Sequence, residues 1–215
     1  MRPSVVKKLL PILILLAGTL GGCKELGFLA YLFSPENPTK SVDAEYKDLA
    51  NGTVAVVIYV SQATQVDYPL ARLGVASVIG SELRKNLTKV QTIDPRKVMK
   101  FQDETPNWEI LPKTDLARQL GADYVLYVIL GEYSTVEPAS TNLYRGRAGA
   151  QVSLYKANLG EKESRVWGKQ DFNVLYPPHT NVGVMAADDE EIAYQTQRIL
   201  ADQVVKKFYK HKVPA

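Results

Sequence analysis

The sequence holds a single cysteine, Cys23, and only two histidines, His179 and His211, among 215 residues. One thiol cannot close a disulfide within the chain. Neither "YPPHTN" around His179 nor "YKHK" around His211 places a second ligand at metal-binding spacing, so no metal site and no cofactor are expected. The chain also lacks a phosphate-cradling glycine loop and a dinucleotide-binding fingerprint. It has no strand–turn–helix serine elbow. "GRAG", Gly146 to Gly149, sits inside an alternating strand pattern rather than before a helix. The acidic run Asp188 to Glu191 does not form a cation cage, because adjacent positions on a helix point in different directions. It suits the start of a helix instead. No catalytic residue is assigned.

Long apolar runs are scarce too. The opening one, Leu9 to Leu20, is about a dozen residues, short of the roughly 20 that a spanning helix needs. Arg2, Lys7 and Lys8 precede it, and Leu20, Gly21, Gly22 and Cys23 follow. A basic start, a short apolar stretch and small residues at a cleavage point form a secretory signal. In register with a cysteine they resemble the bacterial lipoprotein signal. The resemblance implies that the Cys23 thiol receives a diacylglyceryl group, that residues 1–22 are removed, and that the new amino terminus is acylated. Several acyl chains anchor firmly where one does so only marginally. Lys24 stands where an aspartate marks inner-membrane retention in enteric bacteria, so the outer membrane, facing the periplasm, is the expected location.

The leader carries three of the 26 basic residues and no acidic one, leaving 23 of each sign. The formal charge of +3 therefore belongs to the leader. A nucleic-acid partner, which calls for a basic excess, is not expected.

Residues 23–49 read as a lipidated cysteine and tether: "KELGFLAYLF" is apolar, "SPENPTKS" polar and turn-forming. Leu26, Phe28, Leu29, Leu32 and Phe33 fit contact with headgroups, with the domain or with a partner equally well. Residues 50–215 read as one α/β domain. "TVAVVIYV", Thr53 to Val60, is a buried central strand. Pro69 opens a helix whose inner stripe is Leu73, Ala76, Ile79, Gly80, Leu83 and Leu87. Val90 to Ile93 is a short strand, and Asp94 caps a helix to about Phe101. A further helix from Thr114 or Asp115 stops at Gly121, before the strand "ADYVLYVILGEYS". Two alternating segments around the turn "NLGEKES" form an antiparallel hairpin. Asp188 caps the last helix, with Glu191 placed for a capping box and an inner stripe of Ile192, Thr196, Ile199, Leu200 and Val204. The predicted order is β-α-β-α-α-β-β-β-α, an α+β sandwich on a mixed sheet.

"DLANGTVAVVIYV", "VQTIDPRKVMK" and "LARQLGADYVLYVILGEYS" resemble an envelope domain found in three settings. These are the TolB amino-terminal domain, the curli-secretion lipoprotein and lipoprotein activators of peptidoglycan synthases. The matching features are the "VAV" strand core, Asp94 and Arg96, Gly121-Ala122-Asp123 and Gly131, over roughly residues 50 to 210. The first strand ends in Tyr59-Val60 instead of the "PF" of the curli group, and that channel's long hairpins are not evident. The resemblance implies a fold and a cellular setting, not a secretion pore or an enzyme-activating role.

Two surfaces are candidates for a partner. Ala71, Val75 and Val78 fall outside the main stripe of their helix, as an apolar strip for assembly or for cover by another segment. Ser134, Thr135, Glu137, Asn142 and Tyr144 belong to a polar connection longer than a tight hairpin needs. The expectation is a non-enzymatic binding or assembly module, anchored by lipid, with an envelope protein or a second copy as partner. Two alternatives stay open. A hydrolase of envelope glycan or lipid needs a polar pocket around His179, and a carrier of an apolar ligand needs an enclosed apolar cavity. Cys23→Ser should abolish metabolic lipid labelling and move the protein out of the membrane fraction; normal labelling of the variant would contradict the lipoprotein assignment.

Overall fold

A β-branched run needs apolar cover on both faces, and Thr53–Val60 has it: Val54 to Ile58 are all buried, at 3% exposure or less. The structure is a computed structural model that describes residues 39–138, 140, 142–179, 183–185 and 188–214. In chain order the strands are β1 (Thr39–Val42), β2 (Thr53–Val60), β3 (Gln91–Thr92), β4 (Tyr124–Val136), β5 (Leu143–Lys156), β6 (Arg165–Tyr176), β7 (Val184–Met185) and β8 (His211–Pro214). The helices are α1 (Gln62–Asp67), α2 (Ala71–Asn86), α3 (Pro95–Glu104), α4 (Lys113–Leu120) and α5 (Asp189–Val205). The main sheet runs β3-β2-β4-β5-β6, with β7 paired to β5. β2 is parallel to β3 and β4, while β4, β5 and β6 are antiparallel. The predicted α/β class and mixed sheet are present, with α1 and three short strands added. β1 and β8 form a separate two-stranded sheet.

The large compact unit spans Asp43–His211. It begins at Asp43, ahead of the expected boundary at residue 50. Leu49 is fully buried, and Glu45 is held by three side chains. Residues 1–38, with the leader, Leu20, Gly21, Gly22, Cys23 and the apolar part of the tether, lie outside the described residues.

Two cores flank the sheet. On one face α2 and α5 cover Val54, Val56 and Ile58 of β2, Leu126, Val128 and Leu130 of β4, and the inward residues of β5 and β6. On the other, α3 and α4 supply Val98, Leu116, Ala117 and Leu120 against Ala55, Val57, Val125 and Tyr127. Burying each such Leu or Val side chain fully contributes about 1.5–3 kcal/mol. α2 and α5 also pack on each other. Gly74 leaves room there for the Gln197 amide, which donates to the Tyr133 hydroxyl at 2.8 Å. Gly146 of β5 admits Thr196, where any side chain would collide.

That helix pairing covers the apolar strip, the second of its two expected readings. Ala71 and Val75 are 3% and 0% exposed, and Val78 is partly buried against the same core. A helix with a sheet on one side and a helix on another needs a wider apolar face than a single stripe.

The caps follow the sequence in part. The Asp94 and Asp188 side chains accept from the Arg96 and Glu190 amides, and Gly121 ends α4 in the left-handed region at φ 70°. Glu191 does not complete a capping box; its carboxylate accepts from Gln195.

Glu45 ties the start of the unit to its end. One oxygen accepts from Trp167 Nε1 at 2.9 Å and Gln170 Nε2 at 2.6 Å, the other from Lys207 Nζ at 2.7 Å. Burial alone would raise this carboxyl, but the bonds from Lys207, Trp167 and Gln170 outweigh it and hold the pKa below its ordinary value. A carboxyl depressed in the folded state contributes stability above its unfolded pKa and loses it as pH falls through the folded one. Glu45→Gln should cost about 1 kcal/mol at neutral pH, allowing for its partial exposure. The difference in Tm between variant and parent should close below about pH 4.

Candidate functional site

The antiparallel half of the sheet is covered throughout on one face only. Ala148, Ala150, Val152, Leu154, Phe172 and Val174 are buried under α2 and α5. The opposite face is covered by α3 and α4 as far as Val125 and Tyr127 of β4 and Tyr155 near the end of β5. Beyond that line the side chains are polar or half-exposed, the alternation expected of antiparallel strands wetted on one side.

Strand register lays these residues out in rows. Tyr127, Ser153 and Gly168 stand side by side, then Ile129, Gln151 and Asp171, then Glu132, Gly149 and Asn173, then Ser134, Arg147 and Leu175. Two shallow depressions result. One, of about 490 Å³, lies among Glu132, Gly149, Gln151, Asp171 and Asn173. Gly149 keeps it low, since its missing side chain would stand between Glu132 and Asn173. The other, of about 390 Å³, lies among Glu109, Lys113, Tyr127, Ser153, Arg165 and Lys169. Ile129 and Gln151 line both, so the two make one trough across β4, β5 and β6.

The two ends differ in charge. At one, Glu132 and Asp171 are exposed, and Asp171 accepts from Gln151 at 3.1 Å. At the other, three cations face one carboxylate, Glu109. Lys113 opens α4 and turns its ammonium onto the Tyr127 ring, 4.3 Å from the centroid. There it donates to the carbonyls of Glu109 and Leu111 at 2.7 and 3.1 Å. Burial lowers the Lys113 pKa against the opposing pull of Glu109, and burial pushes the Tyr127 phenol up to about 12. Trp108 stands edge-on to Tyr127 and tilted against Tyr59, at 6.4 and 6.2 Å.

Lys169 owes its position to a β-bulge. The register between β5 and β6 slips at Val152/Ser153, where Gly168 has φ 104° and Lys169 φ 68°. The Lys169 amide leaves the ladder and donates to Ser153 Oγ at 3.1 Å. A bulge of this kind re-aims a side chain, and a non-glycine residue at positive φ costs about 1 kcal/mol or more. The alternating reading of "SRVWGKQDFNVLY" passed over it. A glycine inside a strand, Gly168, was the available signal.

The expected binding connection is placed otherwise. Ser134 and Thr135 belong to β4, which runs to Val136, and Tyr144 to β5, which begins at Leu143. Thr135 is buried, and its amide donates to the Tyr68 hydroxyl at 3.4 Å. Glu137 accepts from Arg147 at 2.5 Å and Arg145 at 3.2 Å, which holds its carboxyl below the ordinary value. Asn142 alone of the five is exposed. The stretch is polar because it carries an ion-paired hairpin end, a role that composition does not separate from a free loop.

His179 is exposed, and His211 Nδ1 lies 3.1 Å from the Tyr209 carbonyl. Two further clefts are shallow and open to solvent. One is lined by Asp48, Asp123, Tyr124 and Lys156, the other by Glu82, Lys85, Arg198 and Asp202. Among the described residues no group of three or more His, Cys, Asp or Glu is placed to hold a metal, and no helix is long and apolar enough to cross a membrane.

No protein-family model matches the sequence, and no curated protein does. Solved structures with a similar course include the PelC dodecamer from Paraburkholderia phytofirmans, at 13% identity and TM-score 0.43, covering 80% of this chain and 98% of that one. Lipoprotein GNA1162 from Neisseria meningitidis is 15% identical with TM-score 0.41, over 72% of this chain and 98% of that one. TolB from Acinetobacter baumannii is 12% identical with TM-score 0.26, over 80% of this chain and 31% of that one. Similarity at this level assigns neither a partner nor an activity.

A side chain at Gly168 would press on the Val152 carbonyl at 2.6 Å and Ser153 Cα at 2.8 Å. Gly168→Ala should cost about 2 kcal/mol of stability, whereas Lys169→Gly should be within about 0.5 kcal/mol of the parent or more stable. Thermal unfolding of the two variants checks the bulge.

Proposed function

We propose that this chain is a lipid-anchored module of the bacterial cell envelope that works by binding, with the uncovered sheet face presented to a partner. The observation that carries the reading is the asymmetry of the antiparallel half. One face is a closed apolar core, while the other is an open trough with charged ends and half-exposed Ile129 and Leu175. Packing requires the first face to be apolar. It makes no use of a trough on the second. The leader and Cys23 support the anchored location. Outer-membrane sorting through Lys24, and an envelope protein or second copy as partner, belong to the same proposal.

Photo-crosslinkers placed at Gln151 and Asn173 of the full-length protein, in native membranes, test it. Both should capture a discrete partner, whereas a crosslinker at Lys85, on the far helical layer, should not. Glu132→Lys with Asp171→Lys should remove the product without releasing the protein from the membrane. Capture at Lys85 alone, or none at the trough, would refute the use of this face.

A further inference from the structure

The cationic end of the trough has more positive charge than the fold uses. Arg165 and Lys169 are exposed on β6, and among the described residues neither side chain makes an ion pair or hydrogen bond. Lys113, by contrast, is half-buried, with its ammonium fixed by two carbonyls and the Tyr127 ring. Glu109, the one carboxylate of this cleft, offers Lys113 its backbone oxygen rather than a close ion pair. A desolvated ammonium beside two unneutralised cations is a concentration of like charge, and it lowers the free energy of an anion held among them. The bulge at Gly168 and Lys169 adds to the argument. It leaves a lysine in the left-handed region at a cost, on the wall of the cleft.

The lining indicates what carries the anion. Backbone groups of β4 and β5 are engaged in the sheet ladder on both sides, and those that β6 leaves unpaired point along the outer edge of the sheet, not into the trough, so an acidic peptide lying in the trough would find no main-chain partners on this face. Side chains line the same cleft instead: the Tyr155 phenol, the Ser153 hydroxyl, whose hydrogen remains to donate beside its bond from the Lys169 amide, and the Gln151 amide, whose oxygen remains to accept beside its bond to Asp171. These are donors and acceptors suited to hydroxyl groups. The cleft is open and continues past Ile129 and Gln151 into the second depression. That favours an extended chain over a small enclosed ligand.

We propose that Arg165 and Lys169, with the fixed charge of Lys113 behind them, form a binding site for the oxyanion of a polyhydroxylated polymer, a phosphate or carboxylate borne on a sugar or polyol chain. The site deepens the binding reading above by naming a ligand class for one end of the trough. It does not depend on the lipid anchor or on a protein partner.

Isothermal titration calorimetry of the full-length protein in detergent micelles tests it with three probes. Tetragalacturonic acid presents carboxylates on a sugar chain, a glycerol-phosphate oligomer presents phosphodiesters on a polyol, and hexaglutamate presents carboxylates on a peptide. Saturable, salt-sensitive binding of at least one of the first two, tighter than hexaglutamate, is expected. Which of the two binds identifies the source of the oxyanion. Arg165→Gln with Lys169→Gly should weaken that binding by roughly tenfold or more, and Lys85→Gln should leave it unchanged. Arg165→Glu, a single exposed change, should weaken it too and guards against misfolding of the double variant. No binding of either polyol probe, hexaglutamate binding as tightly, or variants that bind like the parent would overturn the site. Because no partner is present, such a failure leaves the crosslinking outcome untouched.

Discussion

Seven residue pairs, from Val54 with Tyr124 to Val60 with Leu130, join β2 and β4 in parallel. Both strands bury apolar side chains on both faces over most of that ladder, and this two-sided demand sets the layout of the rest. Parallel neighbours cannot be joined by a tight turn, so the chain between them supplies helices. α2 goes to one face, α3 and α4 to the other. The hairpin that follows is under no such constraint, because antiparallel strands need cover on one side only. α5 returns to provide it. The open trough is thus the remainder left when helices on the second face reach no further than the end of β5 at Tyr155.

The elements legible in the sequence were those whose signal is local. The β-branched run of β2, the apolar run of β4, the Asp94 and Asp188 caps and the Gly121 stop all depend on neighbours within one or two turns, and each stands where it was expected. Features that depend on distant packing were less legible. Ala71, Val75 and Val78 left assembly and cover by another segment both open, because a single sequence does not show that α5 lies beside α2. Residues 43–49 read as tether because Glu45's partners, Trp167, Gln170 and Lys207, are more than a hundred positions away.

The same distinction holds for the site. Alternation in β5 and β6 was visible and correctly read as a hairpin, but it does not tell which polar face is covered. Lys113 arrives from α4, Tyr127 from β4, Ser153 from β5 and Arg165 and Lys169 from β6. No spacing in the sequence links them; only the cross-strand register does. The polar stretch from Ser134 to Tyr144 drew attention for its composition, which an ion-paired hairpin end shares with a binding loop.

Under the proposed anchoring, the Glu45 clasp has a mechanical consequence. Sixteen positions separate Cys23 from Thr39, the start of β1, a leash with a contour length of at most about 58 Å. Tension along it meets the pairing of β1 with β8 first and then Glu45, whose bonds pass it to Trp167 and Gln170 of β6 and to Lys207 beyond α5. β6 is the edge strand, but its long ladder to β5 resists sliding along the strand direction better than peeling away from it. The direction of pull, set by how far the domain stands from the bilayer, would then decide whether the trough keeps its shape under load or opens first along its outer wall.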